Sequence, residues 1–137
     1  MYNYPKSLTD KIKSVESLKK ILEKKPDKTV VMCHGTFDIV HPGHIRHLIY
    51  AKQQGDILIA SCTADKYIEK GKDKPFIPEE LRARNLAALE MVDYIIIDQN
   101  KTPVENIRLI KPNLFVKGFE YIFLHLLGDS TTFIFYD

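Results

Sequence analysis

The stretch TVVMCHGTFDIVHPGH, residues 29–44, decides the fold of this chain. Its first five residues form a nearly continuous apolar run, which is typical of a strand covered on both faces, as in a parallel sheet. A loop follows from His34 to His41, and Pro42 stands where a helix can begin, because the fixed φ of proline suits the first helical position. A buried strand that leads through a loop into a helix opens a βαβ unit.

The same alternation of strand and helix continues along the chain. Apolar runs and amphipathic periodicity predict helices at 8–25, 42–54, 78–91 and 103–110, and further strands at 56–63, 93–98 and 113–117. This order predicts an α/β fold, a Rossmann-like doubly wound, mostly parallel sheet with helices on both faces. We expect one domain over residues 1–137, with an atypical tail at 122–137. A leading amphipathic helix is expected within 1–28, either continuous or broken near Ser14.

The composition indicates a soluble globular protein. The 137 residues include 20 Lys plus Arg and 18 Asp plus Glu, a net charge of +2 that does not indicate a nucleic-acid surface. No apolar run approaches the ~20 residues that cross a bilayer, and the charged N-terminus lacks the apolar core of a signal peptide. We therefore expect a cytoplasmic protein that binds neither nucleic acid nor membrane, with Cys33 and Cys62 as buried free thiols.

Chemistry is expected where the first strand ends, because ligands of doubly wound sheets bind beyond the carboxyl ends of the strands. Gly35 lets a ligand approach the backbone closely. The free N–H groups and positive dipole end of the helix that begins at Pro42 favour an anion. Gly43 leaves its first turn without a side chain, and His41 and His44 stand on neighbouring edges of that turn. Two imidazoles beside bare amides suit a polyphosphate.

Other site motifs are missing from the sequence. There is no G-x-x-x-x-G-K-[ST] and no G-x-G-x-x-G, which argues against a P-loop enzyme and against a dinucleotide cofactor. A zinc site from His41, His44 and His47 is disfavoured, because residues along one helix seldom converge on one ion and no H-E-x-x-H pattern is present. His47 is expected along the helix surface, and His34 is either a packed strand-end residue or a ligand.

The segment GTFDIVHPGH resembles the nucleotidyltransferase signature of the cytidylyltransferase-like superfamily, with its H-x-G-H core. Within that superfamily the chain is most similar to bacterial heptose-1-phosphate adenylyltransferases and glycerol-3-phosphate cytidylyltransferases. The resemblance runs from about Ser14 to Tyr121 and includes PEELRARNLAALEMVDYIII and KPNLFVKGFEY. It implies transfer of a nucleotidyl group from ATP or CTP to a sugar or polyol phosphate, with release of pyrophosphate and without a covalent enzyme intermediate.

The resemblance also implies roles for individual residues. It implies catalytic roles for His41, His44, Lys70 and Arg82, and nucleotide binding by Gly35, Thr36, Phe37, Asp38, Gly43, Lys117, Gly118, Glu120, Ser130, Thr131 and Thr132. The two histidines would steady the departing pyrophosphate, and Arg82 would clamp phosphate. One lysine among residues 70, 72 and 74, with Lys70 favoured, would reach the acceptor or the α-phosphate. Mg²⁺ held mainly by the substrate phosphates and a homodimer are also implied.

Several alternatives stay open at this point. Asp38 caps the following turn as readily as it touches a substrate. The run KGKDK at residues 70–74 is either an active-site loop or a solvated charge run. The favoured function is that of a heptose-type adenylyltransferase, since VKGFEY resembles that branch. The alternatives are a glycerol- or amino-alcohol-phosphate cytidylyltransferase and a non-catalytic nucleotide-binding subunit, because the tail departs from the family pattern.

Overall fold

The computed structural model describes residues 2–69, 71, 74–117 and 131–135. The strands are β1 (Val30–Gly35), β2 (Ile57–Thr63), β3 (Tyr94–Asp98), β4 (Leu114–Lys117) and β5 (Thr132–Phe135). The helices are α1 (Lys6–Thr9), α2 (Val15–Glu23), α3 (Pro42–Gln53), α4 (Glu79–Ala87) and α5 (Val104–Ile110), with a 3₁₀ turn at Asp65–Tyr67. The order of elements is that of consecutive βα units, as the sequence predicts.

The strands form one parallel sheet in the order β3-β2-β1-β4-β5. Alternate residues of β1 enter different halves of the core. Val31 and Cys33 pack with buried residues of α3 and α4 on one face, and Met32 packs with Leu18 and residues of α5 on the other. This double burial explains why the strands are apolar throughout, and it confirms the predicted α/β fold with helices on both faces.

The leading segment is broken before Ser14, which is one of the two possibilities predicted for the helix over residues 8–25. The chain leaves the helix after α1, and residues 11–13 pair with the outer edge of the sheet through a parallel bridge between Ile12 and Ile95. Helix α2 then starts anew, because the Ser14 side chain accepts a hydrogen bond from the Ser17 N–H and caps it. Edge pairing with a strand about 80 residues away is invisible to local periodicity.

The inner face of helix α3 differs in part from the one that its apolar spacing predicts, which is Ile45, Leu48, Ile49 and Lys52. Leu48 is buried as predicted and Ala51 is buried as well, whereas Ile49 is 40% exposed. His47, predicted on the helix surface, instead faces the sheet, where its Nε2 lies 3.3 Å from the Val116 carbonyl oxygen. The polar ring of His47 can lie against the sheet because the carbonyl oxygen of Val116 is within hydrogen-bond distance of it.

Strand β5 is an addition to the predicted elements. Its first residue, Thr132, donates its N–H to the Asn113 carbonyl, and the Thr131 hydroxyl donates to the Pro112 carbonyl. The register pairs Leu114 with Thr132 and Lys117 with Phe135, so β5 lies parallel to β4 as an outer strand. One threonine and three apolar residues make up β5, a composition that suits a strand.

Both cysteines are buried and unpaired, as predicted. Burial raises the pKa of the Cys62 thiol to about 12 and raises that of Cys33 as well. Both groups are therefore thiols at neutral pH, and neither is a nucleophile. In the described part of the chain, no helix is long and apolar enough to cross a bilayer.

Neighbouring residues of α3 test the assignment of its inner face. Leu48→Ala removes a fully buried side chain and should lower the free energy of unfolding by about 2–5 kcal/mol. Ile49→Ala should cost about 1 kcal/mol or less, because Ile49 is partly exposed. Urea denaturation followed by circular dichroism measures both losses of stability. Equal losses would contradict the burial of Leu48 and the exposure of Ile49.

Candidate active site

The start of α3 is built by two histidines that hold the helix end. His41 is the N-cap, and its Nδ1 accepts a hydrogen bond from the Gly43 N–H at 3.1 Å. The Nδ1 of His44 accepts a hydrogen bond from the His41 N–H at 3.3 Å, which completes a reciprocal capping box. A Cβ at position 43 would lie only 2.8 Å from the His41 ring, so glycine is required there.

The two imidazoles stack on one another with ring centroids 3.8 Å apart and planes at 30°. Each Nδ1 accepts a backbone N–H, so a neutral ring carries its proton on Nε2. Two Nε2–H donors are thereby fixed together at the positive end of α3. The structure brings together the predicted pair His41 and His44, in an arrangement able to donate hydrogen bonds to an anion.

The Phe37 side chain packs beside the ring of His44. Its backbone has φ of +50°, a strained value for a bulky residue, and its side chain is buried. The ring centroid lies 5.4 Å from that of His44. A Cβ on Gly35 would come within 3.2 Å of the Phe37 ring, so Gly35 also makes room for this side chain. The sequence predicts only a backbone contact with nucleotide for Phe37, and the structure adds a packing role.

Arg82 occupies a different place from the predicted phosphate clamp. Its guanidinium is fully buried and donates to the carbonyls of Thr36 and Thr63 at 2.8 and 2.7 Å. It also donates to the Ile77 carbonyl at 2.8 Å and forms an ion pair with Asp65 at 2.6 Å. A side chain committed to four internal acceptors does not reach a substrate phosphate. Arg82 is therefore a positioning residue of the turn after β1.

Asp38 has a partner that neither sequence alternative includes. Its two carboxylate oxygens accept hydrogen bonds from the N–H groups of Phe76 and Ile77 at 3.0 and 2.9 Å. What burial the carboxyl has acts to raise its pKa, but these two hydrogen bonds and the positive charges of Lys74 and Arg82 lower the pKa overall. Asp38 is thus ionised at neutral pH and holds the distant loop that precedes α4.

A polar cluster that sequence reasoning missed lies at the ends of β1, β2 and β3. His34 Nδ1 lies 2.9 Å from the Ser61 hydroxyl, and its Nε2 lies 3.2 Å from that of Thr63. Asp98 Oδ2 lies 3.9 Å from His34 Nδ1 and has no hydrogen-bond partner among the described residues. Polar residues at the ends of three successive predicted strands are the signal that could have found this cluster.

Burial sets the charge state of this cluster. It lowers the pKa of His34 to about 4, so the ring is neutral at pH 7. Burial also raises the pKa of Asp98, against hydrogen bonds from Asn100 and Asn106 that lower it. The sequence leaves two possibilities for His34, a packed strand-end residue or a ligand, and the structure shows it packed. Its contacts with the hydroxyls of Ser61 and Thr63 connect β1 to β2.

The far end of the predicted site is only partly described. Lys117 ends β4 and is buried, with its ammonium 4.5 Å from the Phe135 ring centroid, and burial lowers its pKa. Thr131 and Thr132 lie at the amino end of β4, opposite the histidine pair, which does not fit the phosphate-binding role implied for them. Four further predicted site residues lie outside the described residues: Lys70, Gly118, Glu120 and Ser130.

In the part of the chain that the structure describes, no three His, Cys, Asp or Glu side chains are grouped to hold a metal ion. The turn between β1 and α3, residues 36–44, carries His41 and His44 and is called the histidine turn below. Its carboxylate, Asp38, already accepts two backbone N–H groups. The donor set at the turn is thus one of N–H groups, which suit an anion rather than a cation.

A protein-family model matches the part of the chain that contains this site. The model of the cytidylyltransferase-like family matches residues 32–124, which is well over half of the chain. The chain belongs to the cytidylyltransferase-like family. The match begins inside β1 and includes His41 and His44.

Curated relatives from two bacteria are similar to most of this chain. The chain is 41% identical to the bifunctional protein HldE of a Nitratiruptor species over 118 residues, and 39% identical to that of Aliarcobacter butzleri over 139 residues. These matches cover 85% and 95% of this chain but only 25% and 29% of the relatives. The chain therefore spans about a quarter of the length of these relatives.

Solved structures agree with the fold. A lipopolysaccharide core biosynthesis protein from Thermoplasma volcanium matches with a TM-score of 0.70 and 27% identity, over 80% of this chain and 99% of that one. A pantoate-beta-alanine ligase from Francisella tularensis matches with a TM-score of 0.66 and 16% identity, over 91% and 66% of the two chains. The second likeness is one of fold alone.

A substitution of Arg82 tests whether its buried guanidinium stabilises the fold. Arg82→Met removes the donors to three loop carbonyls and to Asp65, and should lower the free energy of unfolding by about 3–5 kcal/mol. The control Arg108→Met alters an exposed arginine in a surface ion pair and should cost less than about 1 kcal/mol. Urea unfolding measures both. A near-neutral Arg82→Met would contradict the structural role.

Proposed function

We propose that this chain catalyses nucleotidyl transfer to a sugar or polyol phosphate. An oxygen of the acceptor phosphate attacks the α-phosphorus of ATP or CTP, a new P–O bond forms, and the bond to the bridging oxygen breaks as pyrophosphate leaves. The observation that carries the proposal is the stacked pair of His41 and His44, locked at the amino end of α3 by their Nδ1 atoms.

The proposed catalysis is positioning and charge stabilisation. Negative charge grows on the bridging oxygen as pyrophosphate departs, and Nε2–H donors fixed beside a helix amino end stabilise it without reorganising. Phe37 and the capping box hold the two rings in place before substrate arrives. No side chain has to become a nucleophile, which fits the burial of both cysteines, Cys33 in β1 and Cys62 in β2, as thiols.

We propose ATP and a sugar phosphate of the heptose-1-phosphate type as the preferred substrates. The support is the VKGFEY resemblance, the HldE relatives and the structural neighbour named for lipopolysaccharide core biosynthesis. Mg²⁺ would be held by the phosphates, because no described carboxylate at the turn lacks a partner. A cytoplasmic homodimer remains part of the proposal.

One observation favours a second candidate, a nucleotide-binding subunit without turnover. Thr131 and Thr132, two of the three residues implied to bind phosphate, lie at the amino end of β4, away from the histidine pair. Pyrophosphate release with ATP and with CTP, over a panel of sugar, glycerol and amino-alcohol phosphates, separates the candidates. Release with one pair supports the enzyme and names its substrates, whereas tight nucleotide binding without release supports the subunit.

A single substitution tests the histidine pair. His44→Gln keeps a side chain able to accept the His41 N–H in the capping box but removes the imidazole. We expect kcat to fall about 10²-fold or more, because the amide NH2 of glutamine branches from the same carbon as its capping oxygen and does not occupy the place of the ring Nε2–H. The thermal midpoint should change by only a few degrees.

The matched control is Arg46→Ala, which removes an exposed charge from the same helix. It should leave kcat within about twofold, since surface substitutions away from a site are mild. Normal turnover by His44→Gln would place the chemistry elsewhere.

A further inference from the structure

A groove lies between α2 and α5 at the amino-terminal edge of the sheet, where β1 begins at Val30. Its volume is about 370 Å³, which lies within the range of small-molecule sites. Strand β1 ends at Gly35, next to the histidine turn. At about 3.3 Å per residue the two ends of β1 are about 17 Å apart. The groove is therefore separate from the candidate active site.

Positive charge is concentrated in this groove. Four lysines and one glutamate line it, a net charge of +3, whereas the entire chain carries +2. The four lysines, which define what is called the lysine groove below, are Lys19, Lys25, Lys28 and Lys111. All four are exposed, and within the described ranges no ion pair joins any of them to a carboxylate. Their charge is thus available to an anion.

The lining of the lysine groove also includes apolar side chains. Leu22 of α2 is half-buried, and Leu109 of α5 is 45% exposed, although both lie among the lysines. Small-molecule sites commonly combine such apolar lining with a few charged groups that fix the orientation of the ligand. The groove can therefore take a ligand that has both an anionic and a non-ionic part.

Lys111 occupies a backbone position that disfavours it. It ends α5 with φ of +54°, and its N–H donates to the Ile107 carbonyl at 2.8 Å. Glycine is the usual residue at such a helix end, because a Cβ is strained at positive φ. Among the described non-glycine residues, only Phe37 of the histidine turn shares a positive φ. Strain of this kind is typical of functional positions, which indicates that the Lys111 side chain is used.

We propose that the lysine groove binds an organic phosphate, with the phosphate oxygens at the ammonium groups and the non-ionic part against Leu22 and Leu109. Lysine suits this ligand because its compact ammonium offers three N–H donors to phosphate oxygens. Several ammonium groups together match a diphosphate better than a single carboxylate. The inference does not depend on the proposed function, because the groove lies at the other end of the sheet and takes no part in turnover.

An NMR titration with ADP tests the site on the ¹⁵N-labelled chain at low ionic strength. The amide signals of residues 28–30 and 109–111 should shift and saturate with a dissociation constant of about 1 mM or below. Added salt should weaken this binding, because the lysines are exposed. Signals of residues 43–46 report ADP at the active site separately. Unshifted groove signals at about 10 mM ADP would overturn the proposal and leave the proposed function untouched.

Two neighbouring lysines of α2 form a matched pair. Lys19 and Lys20 are both exposed, but only Lys19 lines the groove. Lys19→Ala should weaken the binding of ADP at the groove about threefold or more, since one phosphate contact is lost. Lys20→Ala should stay within about 1.5-fold of the unmodified chain. Equal weakening by the two variants would overturn the site, because ADP would then respond only to the overall charge of the surface.

Lys111→Gly separates a binding role from a structural one. Binding of ADP at the groove should weaken about threefold, as with Lys19→Ala. The midpoint of thermal unfolding should stay the same or rise by a few degrees, because glycine adopts the positive φ without strain. A lower midpoint with unchanged affinity for ADP would overturn the role of Lys111 in binding.

Two further probes test the class of ligand. Inorganic pyrophosphate has the charged part of ADP but no nucleoside, so ADP should bind the groove at least about threefold more tightly through the apolar lining. Equal affinity for the two would overturn the organic ligand. A hexaglutamate peptide that binds the groove more tightly than ADP would also overturn it, and would assign the lysine groove to an acidic segment of a partner protein.

Discussion

The buried guanidinium of Arg82 holds the carboxyl end of the sheet together. It satisfies carbonyls from the turn after β1, from the end of β2 and from the loop before α4. Buried carbonyls need such partners, and three irregular segments cannot supply them to one another as a ladder does. The turn that carries His41 and His44 starts at one of these carbonyls, so the proposed anion site depends on a side chain from a helix more than 40 residues away.

In the proposed function, the two histidines serve fold and chemistry with different atoms of the same ring. Nδ1 of His41 and of His44 completes the cap of α3, and that contact selects the tautomer with a proton on Nε2. A serine or threonine cap would satisfy the same amides without presenting a ring donor beyond the helix end. The cap therefore orients both imidazoles before substrate binds, which is the condition for electrostatic stabilisation without reorganisation.

Predictions from local pattern succeeded where the physics is local. Strand and helix positions follow from side-chain periodicity, and the start of α3 follows from Pro42. The burial of Arg82 does not follow from local pattern, because a charged residue on a short polar helix is ordinarily solvated. Local pattern also missed the partners of Asp38, since nothing near position 38 announces that backbone N–H groups at positions 76 and 77 will meet its carboxylate.

The amino-acid sequence alone determined the α/β class, the parallel order of elements and the strand-to-helix turn at which His41 and His44 lie. These follow from contacts within a few residues, whose free energies are readable from composition and spacing. Only the tertiary structure decided that Arg82 is buried, that Asp38 latches a loop, that His34 is packed against two hydroxyls, and that Thr131 lies at the opposite end of the sheet. Each of these depends on which distant polar group arrives to satisfy a buried one, and that is set by packing of the whole chain.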